Sequence, residues 1–362
     1  MTEQPPDDGN RPLLLFADLL RACGPAYGEG SGPDQGERVF LRELGSRLAM
    51  RGPTLVYSSL EERTAGFVQE VPANPVISRK LATEIWRRHP RAIVYVYPVT
   101  TASLVRARLL KLVGRGAPTV LLGLATHPLG RAGRVLRRFL WPDLLLSSSI
   151  ADNRALRALG ARADLLPMGV DVRRFRPPGP GEKLELRRRW GLPLEEKIVL
   201  HVGHAVSARN LQVLEVLANR PGITPVVLIS HVREAGSDQL IEEMRQKGVV
   251  VLEGYQPHVE ELYRAADCYV FPSSSWGGGI DMPLSVLEAM ATDLPVASTF
   301  FGALPASFAD AEGIRFAASD HELIEAVEEL LRLQPETRHL VVERYSWDAV
   351  ADRLLSLLPA GA

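Results

Sequence analysis

Short apolar stretches alternate with helical stretches along this chain, and the alternation halts once, at Arg176–Gly181 (RPPGPG), before starting again. No other feature constrains the fold as much. Brief runs without polar alternation describe strands buried on both faces, and successive parallel strands need a helical crossover between them. The pattern predicts strands at Leu13–Phe16, Thr54–Ser58, Ala92–Tyr97, Thr119–Ala125, Leu144–Ser148 and Asp164–Leu166. Helices are predicted at Glu37–Arg51, Lys80–His89, Thr101–Gly114, Ala132–Phe139 and Ala151–Leu159. Consecutive prolines and glycines then exclude both regular structures. Beyond them come strands at Ile198–Val202, Pro225–Ile229, Val249–Leu252, Cys268–Phe271 and Pro295–Ala297. The helices between and after them are Glu182–Trp190, Asn210–Ala218, Ser237–Lys247, Glu260–Ala266, Ser285–Ala291 and His321–Leu333, with an amphipathic Ser346–Leu358 last. The expectation is an α/β chain of two doubly wound Rossmann-like domains, with a crevice at the carboxyl ends of both sheets.

At 362 residues the chain has room for two ordinary domains. Its net charge of −1 gives no global field for nucleic acid or another polyanion. Cys23 and Cys268 make neither a zinc site nor a disulfide framework, which fits a reducing compartment. Residues 1–11 read as a disordered acidic, proline-rich tail without the basic start and apolar core of a signal peptide. A cytoplasmic protein is expected.

Three stretches carry chemistry. In Ser273–Thr299 a strand ends in a glycine-rich loop, GGGID, that opens onto a helix with Glu288 near its start. Loop and helix-start N–H groups form an anion site, and a nearby carboxylate accepts hydrogen bonds from sugar hydroxyls. Ser285 and Glu288 also fit a capping box, in which each satisfies the other's backbone donor. In His201–Asn210 a strand ends near Gly203, and Arg209 falls at the start of the next helix. A cation is unfavourable there unless an anion sits beside it. His204 follows Gly203 in the same loop. The third stretch, Leu165–Pro177, reads as a loop leading into the linker.

These stretches resemble the retaining glycosyltransferases of GT-B architecture called glycosyl transferases group 1 (glycosyltransferase family 4). Gly169-Val170-Asp171 with Phe175 and Pro177 is similar to that family's "GVDxxxFxP" linker. Ala266–Ser273 resembles "aDvfvxPS", Leu287–Val296 resembles "LEAMAxxxPV", and Glu343–Ala351 resembles "ErYSWdxva". The resemblance implies an N-terminal acceptor domain at 12–175, completed by the C-terminal helix within 346–362, a linker at 176–181 and a nucleotide-sugar donor domain at 182–345. It places Glu288 on the donor ribose and Arg209 on the diphosphate, with Gly203 and His204 beside it. The loop through Gly278, Gly279, Asp281, Met282 and Pro283, with Leu284 and Ser285 after it, would hold phosphate and sugar hydroxyls. Gly30 and Ser31 would line the phosphate side, and His127 would contact the transferred sugar. Two positions depart from the family. Ile280 stands where the first of two glutamates is usual, with Asp281 as a shifted substitute, and Ser230-His231-Val232 replaces the usual Gly-Asp-Gly.

The implied activity is metal-independent transfer of a hexose from a nucleotide-diphosphate sugar to a glycan or lipid-linked acceptor, with no cofactor. The chain lacks an Asp-x-Asp sequence. A nucleotide-sugar 2-epimerase and a catalytically silent sugar-nucleotide binder are the alternatives. Arg106, Arg108, Lys111, Arg115, Arg131, Arg134, Arg137 and Arg138, with Leu136, Phe139, Leu140 and Trp141 among them, read either as solvated helix faces or as a patch for anionic membrane.

Overall fold

The structure is a computed structural model, and it describes residues 11–17, 36–59, 66–72, 76–123, 139–233, 236–273, 281–309 and 311–359. The chain divides into two compact units. One holds the described residues up to Met168 together with the closing helix from Trp347, and the other runs from Gly169 to Ser346.

The first unit is built on strands β1 (Leu13–Ala17), β2 (Thr54–Ser58), β3 (Val68–Glu70), β4 (Ala92–Val96), β5 (Thr119–Gly123), β6 (Leu144–Ser147) and β7 (Ala163–Leu165). They pair in the order β3-β2-β1-β4-β5-β6-β7, all parallel. Every residue of β1, β4, β5 and β6 is buried, as expected of strands covered on both faces. The closing helix Trp347–Leu357 packs on the helix Gly36–Arg51. The Trp347 ring meets Phe40 edge-on at 5.4 Å, and Arg51 pairs with Asp352 at 2.6 Å and with Asp348 at 3.1 Å.

The second unit is built on β8 (Lys197–Ala205), β9 (Ile223–Arg233), β10 (Val250–Glu253), β11 (Cys268–Phe271), β12 (Val296–Thr299) and β13 (Ile314–Ala317). Their order is β10-β9-β8-β11-β12-β13, again parallel throughout. In each sheet the chain reverses its direction of winding beside the first strand, at β1/β4 and at β8/β11. Connections leaving in opposite directions open a crevice at the carboxyl ends there, where doubly wound sheets bind ligands.

Three differences from the sequence reading have physical reasons. Strands β3 and β13 were not expected; both are short edge strands with polar positions, so neither shows a two-faced apolar run. Strand β9 continues through Ser230-His231-Val232 to Arg233, which pairs with Ala205 of β8, so that stretch lies within the strand and not beyond its end at Ile229 as expected. Arg209 does not begin a helix. It ends a 3₁₀ turn, Ser207–Arg209, and the helix starts at Val213 after Asn210 turns the chain in the left-handed region.

The motif residues also have jobs within the fold. Asp267 is buried and accepts hydrogen bonds from Ile198 N–H at 2.7 Å and Lys183 Nζ at 2.8 Å, and it pairs with the buried Arg187. It thereby ties the helix Glu182–Arg189 to the starts of β8 and β11. Asp171 accepts from the N–H groups of Arg173 and Arg174 at 3.0 and 3.2 Å, while Val170 N–H donates to the Tyr345 carbonyl at 2.7 Å.

Candidate functional site

At the carboxyl end of β8 the ladder to β9 slips between Gly203 and Ala205, and His204 stands in the irregularity. Two residues before Gly203, His201 is fully buried, with its ring beside those of Tyr269 and Phe271. His201 Nδ1 lies 2.9 Å from the Val270 carbonyl. A carbonyl only accepts, so the ring proton is on Nδ1 and Nε2 presents a lone pair. Burial pushes the His201 pKa down to about 3, so the ring is neutral. A Cβ on Gly203 would lie 2.7 Å from that Nε2. The glycine at this position is therefore required by the imidazole beneath it, whatever binds above.

His204 has its pKa lowered to about 4, by burial first and by the Arg209 charge second. It is a neutral hydrogen-bonding group at neutral pH and adds no positive charge to the site. Arg209 supplies that charge. Its Nη1 donates to Ser273 Oγ at 3.0 Å, and the guanidinium lies over the Phe271 ring at 5.3 Å. Burial lowers its pKa, yet a guanidinium stays protonated, and among the described residues no carboxylate pairs with it. The Ser273 carbonyl in turn accepts from Thr299 Oγ1. Arg209, Ser273 and Thr299 thus link the carboxyl ends of β8, β11 and β12 into one polar rim at the switch point.

The helix Leu284–Ala291 begins at the same end of the sheet. Its N-cap is Pro283, with no side-chain cap and no acidic residue in the first turn. The capping-box expectation fails because Ser285 already lies inside the helix, and the Ser285 hydroxyl bonds instead to the Tyr269 phenol. Val286 and Leu287 N–H fold back onto the Pro283 carbonyl, while the N–H groups of Leu284 and Ser285 bond to no carbonyl among the described residues. Glu288 accepts a hydrogen bond from Tyr263 Oη at 2.8 Å. Tyr263 is fully buried, and burial first, then the Glu288 charge, raises its pKa well above the usual value, so its hydroxyl stays a donor. It stacks on Tyr269 at 5.7 Å and meets Phe175 edge-on at 5.5 Å.

Asp281 is buried, and its carbonyl accepts from Ala303 N–H at 3.0 Å. Gly302, at φ 51°, packs against that carbonyl so closely that a Cβ would lie 2.2 Å from it. Met282 is buried as well, which leaves its backbone as the part able to face a ligand. Gly203, His204, Arg209, Asp281, Met282, Pro283, Leu284, Ser285 and Glu288 therefore share the carboxyl-end side of the second sheet. Gly30, Ser31, His127, Gly278, Gly279 and Ile280 lie outside the described residues. Tyr263, Tyr269, Ser273 and Thr299 were not singled out by sequence reasoning. Tyr269 and Phe271 had a signal, since alternate positions on β11 share a face.

A family profile described as "Glycosyl transferases group 1" matches residues 182–347. That match falls almost wholly within the second unit and spans all six of its strands, so the likeness to this family is carried by that half of the chain. The chain is 26% identical, over 75% of its length and 83% of the relative's, to a Corynebacterium glutamicum GDP-mannose-dependent monoacylated alpha-(1-6)-phosphatidylinositol monomannoside mannosyltransferase. It is 32% identical to a Segniliparus rotundus D-inositol 3-phosphate glycosyltransferase, over 54% of this chain and 46% of that one. The solved structure of Anabaena HepE in complex with UDP matches with a TM-score of 0.72 at 15% identity, over 95% of this chain and 98% of that one. The two parallel sheets are those of the GT-B fold.

Proposed function

We propose that this protein is a glycosyltransferase that moves a hexose from a nucleoside-diphosphate sugar to a hydroxyl of a glycan or lipid-linked acceptor, with retention of configuration and without a metal. The second unit is the donor domain and the first the acceptor domain. The bond from the anomeric carbon to the diphosphate oxygen breaks as the acceptor oxygen attacks from the same face. The acceptor proton passes to the departing phosphate oxygen. Negative charge grows on the diphosphate in this step, and Arg209 with the Leu284 and Ser285 N–H groups is where it is stabilised. Glu288 accepts from the donor ribose hydroxyls, and Tyr263 holds its orientation. Asp281 and the glycines before it supply backbone near the phosphates and sugar. By resemblance, Gly30 and Ser31 line the phosphate side and His127 contacts the transferred sugar.

The observation that carries this reading is the Arg209 guanidinium at the switch point, hydrogen-bonded to a serine and joined by no described carboxylate. A fixed cation of that kind is suited to a dianionic leaving group. The name of the Corynebacterium relative makes GDP-mannose the first donor to try and a phosphoinositide-type glycolipid the first acceptor class, and the HepE complex makes a UDP-sugar the second donor. Arg209→Ala is expected to lower turnover by roughly 10²–10³-fold with the fold intact, the usual size for removing one transition-state donor. Arg209→Lys should recover part of it. Near-normal turnover in the alanine variant would remove Arg209 from the chemistry, and turnover abolished by a chelator would overturn the metal-free scheme.

A further inference from the structure

The outer faces of two neighbouring helices in the first unit, Arg79–Arg88 and Thr101–Val113, combine apolar and cationic groups in a way the transferase site does not use. Helix Thr101–Val113 buries Leu104, Ala107 and Leu110 on its inner side, as a helix on a sheet must. Its outer side carries Val105, Leu109 and Leu112, with Leu112 73% exposed. A large apolar side chain this exposed beside others on the same helix face is the kind of patch that marks a contact surface. Trp86, 53% exposed on the adjoining helix, continues the same surface, and a groove of about 490 Å³ lies between Ala82, Thr83, Trp86, Arg87, Leu112 and Val113.

The charge around the groove is one-sided. Residues 76–117 contain Arg79, Lys80, Arg87, Arg88, Arg91, Arg108 and Arg115, with Lys111 paired to Asp143, against the single acid Glu84 of that stretch, in a chain whose net charge is −1. Glu84 is engaged by Arg88 at 3.5 Å, and Arg115 lies over the Trp86 ring at 3.7 Å. The basic patch marked in the sequence is thereby redrawn. Arg106 is buried against the Tyr95 and Tyr97 rings and Trp141 is buried, so neither belongs to the surface. Arg131, Arg134, Leu136, Arg137 and Arg138 lie outside the described residues.

We propose that this face is a docking surface for an anionic lipid bilayer, with Trp86, Val105 and Leu112 at the headgroup level and Arg79, Arg87 and Arg115 on lipid phosphates. A second copy of the chain is disfavoured because a two-fold contact through this face would set arginines against arginines. The apolar groups stand out singly among cations, the pattern of an interfacial amphipathic surface. Such a position also suits the lipid-linked acceptor proposed above, on which the docking does not depend.

The test is sedimentation with phosphatidylcholine vesicles, with and without phosphatidylglycerol. Wild-type protein should pellet with the anionic vesicles alone, and binding should fall as salt is raised, because the Debye length is about 10 Å at 0.1 M. Arg79→Glu/Arg87→Gln should weaken binding by more than ten-fold, given roughly five-fold for each surface cation. Trp86→Ser/Leu112→Ser should weaken it comparably, and the blue shift of tryptophan fluorescence on vesicle binding should be lost in Trp86→Phe. Equal pelleting of variants and wild type, equal binding to neutral vesicles, or salt-independent binding would overturn the proposal. So would a self-association, or binding of an acidic protein, that these variants abolish while no vesicle binding is found. Donor hydrolysis in vesicle-free buffer should be unchanged in all three variants, which separates failure of the docking from failure of the transferase reading.

Discussion

Gly203→Ala tests whether the carboxyl end of β8 is shaped by the ring below it. The added Cβ would lie 2.7 Å from His201 Nε2, 3.4 Å from Cε1 and 3.6 Å from Cδ2, so the overlap is with one nitrogen. That nitrogen cannot move aside cheaply. The ring is fully buried, fixed by the Nδ1–H bond to Val270 and flanked by Tyr269 and Phe271. Overpacking of this kind costs about 1–3 kcal/mol, and the left-handed strain that penalises many glycine substitutions is absent, since Gly203 is not among the positive-φ glycines. Urea unfolding of Gly203→Ala, His201→Ala and the double variant isolates the contact. His201→Ala alone should destabilise by about 2–4 kcal/mol through the space it leaves. The double variant should fall short of the sum by about 1–3 kcal/mol, because the new methyl enters that space. Additivity within about 0.5 kcal/mol would refute the claim that the imidazole dictates the glycine, and would leave ligand approach as the reason for it.

Tyr263→Phe keeps the stacked ring but removes the bond to Glu288, a bond to a charged acceptor of about 1.5–3 kcal/mol. The urea midpoint should fall by an amount matching that loss, donor kcat/KM should fall at least about ten-fold under conditions where the variant is fully folded, and unchanged donor kinetics would separate Tyr263 from the site. His201 and His204 both have folded pKa values below the unfolded 6.5, so the unfolded chain takes up protons first and stability falls as pH drops below 6.5. Between pH 6.5 and 5, where carboxylates stay ionised, His201 alone should cost about 1.4 kcal/mol per pH unit, and His201→Asn should remove that slope in urea titrations. Asp267→Asn strands the buried Arg187 and should cost about 3–5 kcal/mol, measured as a lowered urea midpoint; a loss under about 1 kcal/mol would show the Arg187 charge is satisfied elsewhere.

The sheets were legible because buried parallel strands cannot hide their composition. Leu13–Ala17 and Ala92–Val96 are apolar along their whole length and end up buried along their whole length. Edge strands escaped for the opposite reason, since Val68–Glu70 and Ile314–Ala317 are short, only part-buried and carry Gln69, Glu70 and Arg315. Arg209 was found as a cation near a strand end, but its local structure was misjudged. Val206 and Ser207 accept successive N–H bonds within a tight turn, and Asn210 then breaks helical continuity, which periodicity does not report. Tyr263 was invisible for a different reason. Its hydroxyl meets Glu288 across 25 positions of sequence, and only the packing of two helices reveals the pair.

The aromatic side chains of the second unit form an unbroken file. Phe175 meets Tyr263, Tyr263 meets Tyr269, Tyr269 meets His201, His201 meets Phe271 and Phe271 meets Phe301, each at 5.2 to 6.2 Å between centroids. This file holds Glu288 through Tyr263, Ser285 through Tyr269 and Arg209 through Phe271. For anyone reshaping donor preference, the consequence is a division of labour. Changes to these rings disturb the three groups proposed above for donor binding and the core together, so libraries should leave them fixed. Diversity belongs at His204, which stands in the irregularity at the end of β8 and takes no part in the file.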